Sequence, residues 1–268
     1  MYETQAPWVT LYHRLMDYDG GDAYADLLAP WAEAHAGERR WVAEVAARAG
    51  EDWGRDAAED LCRLYAAFRV ASVLLLRFQD GDRDWEGPPI TVDGYSCFHK
   101  AMGFRIPETS RFHPFHHEIV GVRQADDPDA PVDIVEERWP PLMLGEMMFC
   151  RGGAVVSAGS NHVVKEIVEG STLFWAFRRR DRPCADPSHG WGSNSQWRTP
   201  LRRDHATPSG FHYNVDGKES LDGRTGTVDG IPAAAMIEIV RHRCLVRTPV
   251  DDPDLHPYPY SFTEPAGG

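Results

Sequence analysis

The apolar positions of this 268-residue chain change their period near residue 110. Before that point they recur at helical spacing. Trp8 to Met16 is a short amphipathic segment, stopped by Asp19-Gly20-Gly21. Asp22 can cap a second helix that runs toward His35, with Pro30 breaking or kinking it. Glu38 to Ala49 reads as a third helix, closed by Gly50. The longest helix is predicted over Arg55 to Phe78, with apolar side chains at 57, 61, 64, 65, 68 and 75. Its last turns, VASVLLL, are apolar all round and should be buried on every side.

Residues 79 to 111 form a crossover rich in Gly, Pro and Asp, with a helical piece around Tyr95 to Met102. Beyond it the pattern is that of strands. Phe115 to Val122 alternates, as does Ile134 to Trp139, which ends at Pro140-Pro141. Leu142 to Phe149 and Ala154 to Ala158 read as two more, and Thr172 to Arg178 is rich in β-formers. Phe211 to Val215 is a short strand, and Met236 to Arg247 alternates cleanly enough to be the last. Helices first and strands second predict an α+β protein. A helical layer (1–80) packs on an antiparallel β-sandwich or barrel (81–250), with a surface tail (251–268).

Composition narrows the partners. The net charge of −13 disfavours nucleic acid and anionic membrane surfaces. Five scattered cysteines without a CxxC pair argue for reduced thiols rather than a disulfide framework. No apolar run approaches membrane-spanning length, and the first residues lack signal-peptide character, so a cytoplasmic protein is expected.

Two stretches carry candidate chemistry. The first, residues 186–205 (DPSHGWGSNSQWRTPLRRDH), follows neither a helix nor a strand period and reads as an ordered polar loop. It holds His189, Trp191, Asn194, Gln196, Trp197 and Arg198. Seven arginines fall between 178 and 203, a local reversal of sign that suits a carboxylate or phosphate ligand. Solvated salt bridges are the simpler account of Arg178 to Arg182. The second stretch is FHPFHHE, with His113, His116, His117 and Glu118. On a strand His116 and Glu118 would share a face. With a distant histidine, His189 or alternatively His162, they would form a two-histidine, one-carboxylate set suited to non-haem Fe(II) or to Zn(II). Which of His113, His116 and His117 faces inward is open. Haem, with an axial histidine and arginines on its propionates, is an alternative cofactor.

The order His116-x-Glu118, Gly159-Ser-Asn-His162, His189-Gly, Ser193-Asn-Ser195, Thr199-Pro200 and arginines resembles the phytanoyl-CoA dioxygenase/ectoine hydroxylase type of Fe(II)/2-oxoglutarate oxygenase. The resemblance covers about 75 residues and implies a double-stranded β-helix with outer helices. It implies iron on His116, Glu118 and His189, and 2-oxoglutarate held by Arg198 or Arg202. The expectation is then a metal-dependent oxygenase acting on a small anionic or amino-acid-like substrate. Arg198 and Asn194 would act in catalysis, and Trp191, Gln196 and Trp197 would contact substrate. A zinc-dependent hydrolase is the nearest variant. A non-enzymatic protein-binding module using the Trp/Arg-rich loop is the reading of another class.

Overall fold

The computed structural model describes residues 3–48, 57–83, 85–189, 196–250 and 255–266. The helical half follows the predicted order: α1 (Ala6–Met16), α2 (Ala29–Ala34), α3 (Ala36–Arg48), α4 (Ala57–Leu75) and α5 (Val92–Ala101). Pro30 lies in the first turn of α2, where its missing N–H is no loss. A π-type turn, Tyr24–Leu28, leads into it. Thr91 caps α5 by accepting a hydrogen bond from the Gly94 N–H. The end of α4 is buried all round, as its apolar run requires, with Val70, Ala71, Val73, Leu74 and Leu75 at 0 % exposure.

Three strands form a mixed sheet in the order β1 (His117–Gln124), β5 (Gly152–Ala158), β2 (Asp133–Trp139). β1 runs parallel to β5 and β2 antiparallel to it. Glycine is required at position 153, because a Cβ there would come within 2.6 Å of the Trp139 ring. A second sheet contains β3 (Leu142–Leu144), β4 (Met147–Cys150), β8 (His205–Thr207), β9 (Gly210–Tyr213), β10 (Glu219–Ser220) and β13 (Tyr260–Pro265), in the order β10-β13-β9-β8-β4-β3. The remaining strands are two short pairs, β6 (Leu173–Phe174) with β7 (Cys184–Ala185) and β11 (Thr227–Val228) with β12 (Ile231–Pro232). Two helices complete the β-rich half, α6 (Lys165–Gly170) and α7 (Ala233–His242). Among the described residues no sheet closes on itself, and no helix is long and apolar enough to cross a membrane.

The β3–β4 hairpin is the joint between the layers. Leu142, Leu144, Met147 and Phe149 belong to the core beneath the helices. Met143 and Met148 belong to the opposite core, with Met236 and Ile239 of α7. The helical core itself runs from Trp8 to Leu201, so the helical and β-rich halves share one interior.

Four expectations about elements are corrected. Met236 to Arg247 lies mostly in helix α7, not in a strand. Three alanines follow Pro232, and the buried set Ala233, Met236, Ile239 and Val240 also fits helical spacing. Leu142 to Phe149 folds back on itself at Gly145, whose φ is +54°. Thr172 to Arg178 is strand only at Leu173–Phe174, because Trp175 has φ +52°. The tail is no surface appendage: β13 pairs with β9 and β10, and Tyr260 is buried.

Candidate functional site

The predicted metal donors are not gathered. Pro114 starts a helical turn, in which the N–H groups of His116 and His117 both donate to the His113 carbonyl at 3.0 and 2.9 Å. The strand begins only at His117, so the alternation that placed His116 and Glu118 on one face does not hold. Glu118 is buried and held by Arg179 as a two-pronged pair, with Nε to Oε1 at 2.7 Å and Nη2 to Oε2 at 2.8 Å. Burial pushes its carboxyl up, but Arg179 outweighs this and holds it below the ordinary range. Both of its oxygens are committed. His189 and His162 are exposed. Among the described residues no three His, Cys, Asp or Glu side chains could hold a metal ion together. The set His116, Glu118 and His189 therefore does not fit Fe(II) or Zn(II).

The alternates are occupied by packing. His113 lies 4.2 Å from the Phe211 ring and 3.8 Å from the Glu264 carboxylate. His117 Nδ1 accepts from the His113 N–H at 3.1 Å, and its Nε2 is 3.2 Å from the Thr109 hydroxyl. Burial lowers both His116 and His117 to about 4, so both imidazoles are neutral at pH 7.

The 186–205 stretch is drawn onto α4. Tyr65 donates to Asp186 Oδ1 at 2.6 Å and lies 2.6 Å from the Ser188 hydroxyl. The N–H of Ser188 also donates to Asp186 Oδ1, at 2.8 Å. One turn later Arg69 Nη1 donates to the Gln196 carbonyl at 3.3 Å. His189 and Trp197 line a pocket beside Arg69, and Arg198 is exposed. Trp191 and Asn194 lie outside the described residues.

Arg202, by contrast, enters the interior. Its Nε donates to Asp204 Oδ1 at 2.6 Å, and its Nη2 donates to the Val240 carbonyl at 2.6 Å. Two more arginines reach the other carboxylate oxygen, Arg151 at 3.4 Å and Arg243 at 3.3 Å. Asp204 is 0 % exposed, and none of the three arginines exceeds 7 %. Burial pushes the Asp204 carboxyl up, but the three cations hold it well below the ordinary range. Burial and mutual repulsion lower Arg151 to about 9; Arg202 falls to about 10, chiefly through burial. Arg151 Nε and Nη1, Arg202 Nη1 and Arg243 Nε have no hydrogen-bond partner among the described residues.

The backbone around this centre is strained in the same places. Trp175, Asn214 and Arg243 have φ of +52°, +51° and +66°, a region that side chains other than glycine seldom adopt. Each conformation delivers a group to the centre. The Trp175 ring lies 3.9 Å from the Arg202 guanidinium. The Asn214 N–H donates to Asp204 Oδ1 at 2.7 Å. Arg243 ends α7 and turns back to Asp204.

Two adjoining spaces open on Arg202. A cavity of about 20 Å³ is lined by Tyr65, Asp186, Thr199, Arg202 and Arg243, among others. A cavity of about 430 Å³ is lined by Leu61, Trp175, Leu201, Arg202, Asn214 and Tyr258, among others. They share the wall formed by Trp175, Pro187, Pro200, Leu201 and Arg202. The pair offers a mainly apolar and aromatic chamber with Arg202 and Arg243 at its inner end and with Asp186 and Asp216 also in its lining.

The sequence reading missed Arg151, Asp204 and Arg243. One signal was available: Arg202 and Asp204 stand two apart in an extended segment, the spacing that puts both on one face. Comparison of the chain with known protein families, with curated proteins and with solved structures finds no match.

Proposed function

We propose that the protein acts on a small organic anion, whose carboxylate or phosphate is held by Arg202 and Arg243 and whose body lies against Trp175, Tyr258 and Leu61. The reading is carried by the imbalance at Asp204. Three buried guanidinium groups share one carboxylate, and four of their nitrogens have no hydrogen-bond partner among the described residues. An unpaired buried donor costs about 1–3 kcal/mol, more when charged, and an incoming anion would recover part of that. The 430 Å³ chamber is within the size range of small-molecule pockets. Asp186 lines the inner cavity beside the two arginines and accepts from the Tyr65 hydroxyl. The anionic ligand expected from the sequence is kept; of its two candidate anchors Arg198 is exposed and Arg202 buried, and Arg243 joins Arg202. An iron or zinc ion held by three side chains would need ligands other than the set His116, Glu118 and His189.

Thermal denaturation with a panel of anions tests this. Phosphate, succinate and 2-oxoglutarate are added over a range of concentrations at constant ionic strength. A binder stabilises by about 2.7 kcal/mol at a hundredfold excess over its Kd. The proposal expects at least one anion to raise the Tm in wild type and to lose that effect in Arg243→Met. Equal shifts in wild type and variant would overturn it, as would no shift with any anion.

A further inference from the structure

Arg69 forms a second cationic centre of different construction. It lies one turn beyond Tyr65 on α4 and is 3 % exposed. Its guanidinium carbon lies 3.8 Å from the Trp197 ring centre, 4.0 Å from that of Phe177 and 4.6 Å from that of Tyr12. Its terminal nitrogens donate to neutral oxygens, the Gln196 carbonyl and the Tyr12 hydroxyl, each at 3.3 Å. Its buried Nε has no partner among the described residues. No carboxylate contacts this cation among the described residues. Ring faces attract a guanidinium through their quadrupoles but do not neutralise it.

A pocket of about 350 Å³ opens beside this group and shares no lining residue with the Arg202 chambers. His13, Arg178 and His189 line it as well, and among the described residues none of its lining is an acid. In a chain of net charge −13 a pocket built on buried Arg69, with no acid among its described lining residues, selects for anions. A carboxylate matches the fork of guanidinium donors, and half-buried Trp197 offers a flat apolar wall.

We propose that the Arg69 pocket is a second ligand site that takes a flat aromatic carboxylate, with its carboxylate on Arg69 and its ring against Trp197. This site stands or falls independently of the one at Arg202.

The probe is benzoate, with benzamide as its uncharged analogue and inorganic phosphate as an anion without a flat body. Binding to the whole chain is followed by calorimetry and by the Arg69 Nε–H and Trp197 indole N–H resonances. Benzoate should bind and shift both resonances, and benzamide should bind roughly tenfold more weakly or worse, the scale of one charged hydrogen bond. Arg69→Lys, which keeps the charge but not the fork, should weaken benzoate by a similar factor. Trp197→Leu, at a half-buried position, should weaken it as well. Absence of benzoate binding in wild type would overturn the proposal, as would benzamide or phosphate binding as tightly. So would unchanged affinity in both Arg69→Lys and Trp197→Leu.

Discussion

Two buried arginine–carboxylate centres sit within this fold, and they are built in opposite ways. At Glu118 one carboxylate meets one arginine in a closed pair, both oxygens accepting from Arg179. At Asp204 one carboxylate serves three arginines, and four guanidinium nitrogens have no partner among the described residues. The first centre is matched in charge and in hydrogen bonds and has nothing to offer a ligand. The second carries a surplus of both, at the inner end of a chamber, framed by three residues in left-handed backbone. Burial of charge alone does not mark a site; burial with unmatched donors does.

The largest expected effect separates the centres through stability. Glu118→Ala leaves Arg179 buried without its partner and should cost about 3–5 kcal/mol in chemical denaturation. Added succinate or phosphate should not restore it, because neither residue lines the anion chamber. Asp204→Asn should also destabilise, since it leaves three buried cations together. Here a bound anion should return up to about 2.7 kcal/mol at a hundredfold excess over its Kd. Rescue of both variants, or of neither, would break the distinction.

Acid sensitivity is the next effect in size. Burial lowers His116, His117 and His205 from 6.5 to about 4. The unfolded chain binds these protons first. Their contribution to stability is therefore complete above pH 6.5, and it is lost as the pH falls through the window down to about 4. Each histidine accounts for at most about 1.4 kcal/mol per pH unit in that window. Arg151 helps to hold His116 and His117 down, so Arg151→Met should flatten the decline. A decline equally steep in the variant would remove Arg151 from this account. At pH 7 the same substitution should change stability by no more than about 1 kcal/mol, because it removes the least-paired cation of the surplus. Arg179→Met should resemble Glu118→Ala instead.

How far the sequence disclosed this arrangement depended on the range of the interactions. Helices α1, α3 and α4 were legible because their apolar periods are long and local. The 186–205 stretch stood out because its composition fits no regular element, and Asp186, Thr199 and Arg202 of it line the inner cavity. The ligand set His116, Glu118 and His189 was misjudged for two reasons. Pro114 starts a turn where alternation assumed a strand, and the partner that consumes Glu118 lies 61 residues away. Arg151 and Arg243 were invisible for the same reason of distance, lying 53 and 39 residues from Asp204. The segment that became α7 satisfies both a period of two and a helical period, and only packing on Met143 and Met148 decides between them.

Calorimetric titration of succinate, 2-oxoglutarate and phosphate into wild type, Arg202→Met and Arg198→Met tests the contrast most directly. Arg202 is buried at the inner end of the chamber, and Arg198 is exposed four residues before it. The account predicts that an anion binds wild type and Arg198→Met alike and binds Arg202→Met roughly tenfold more weakly or worse. Undiminished binding in Arg202→Met, or a loss in Arg198→Met alone, would contradict it.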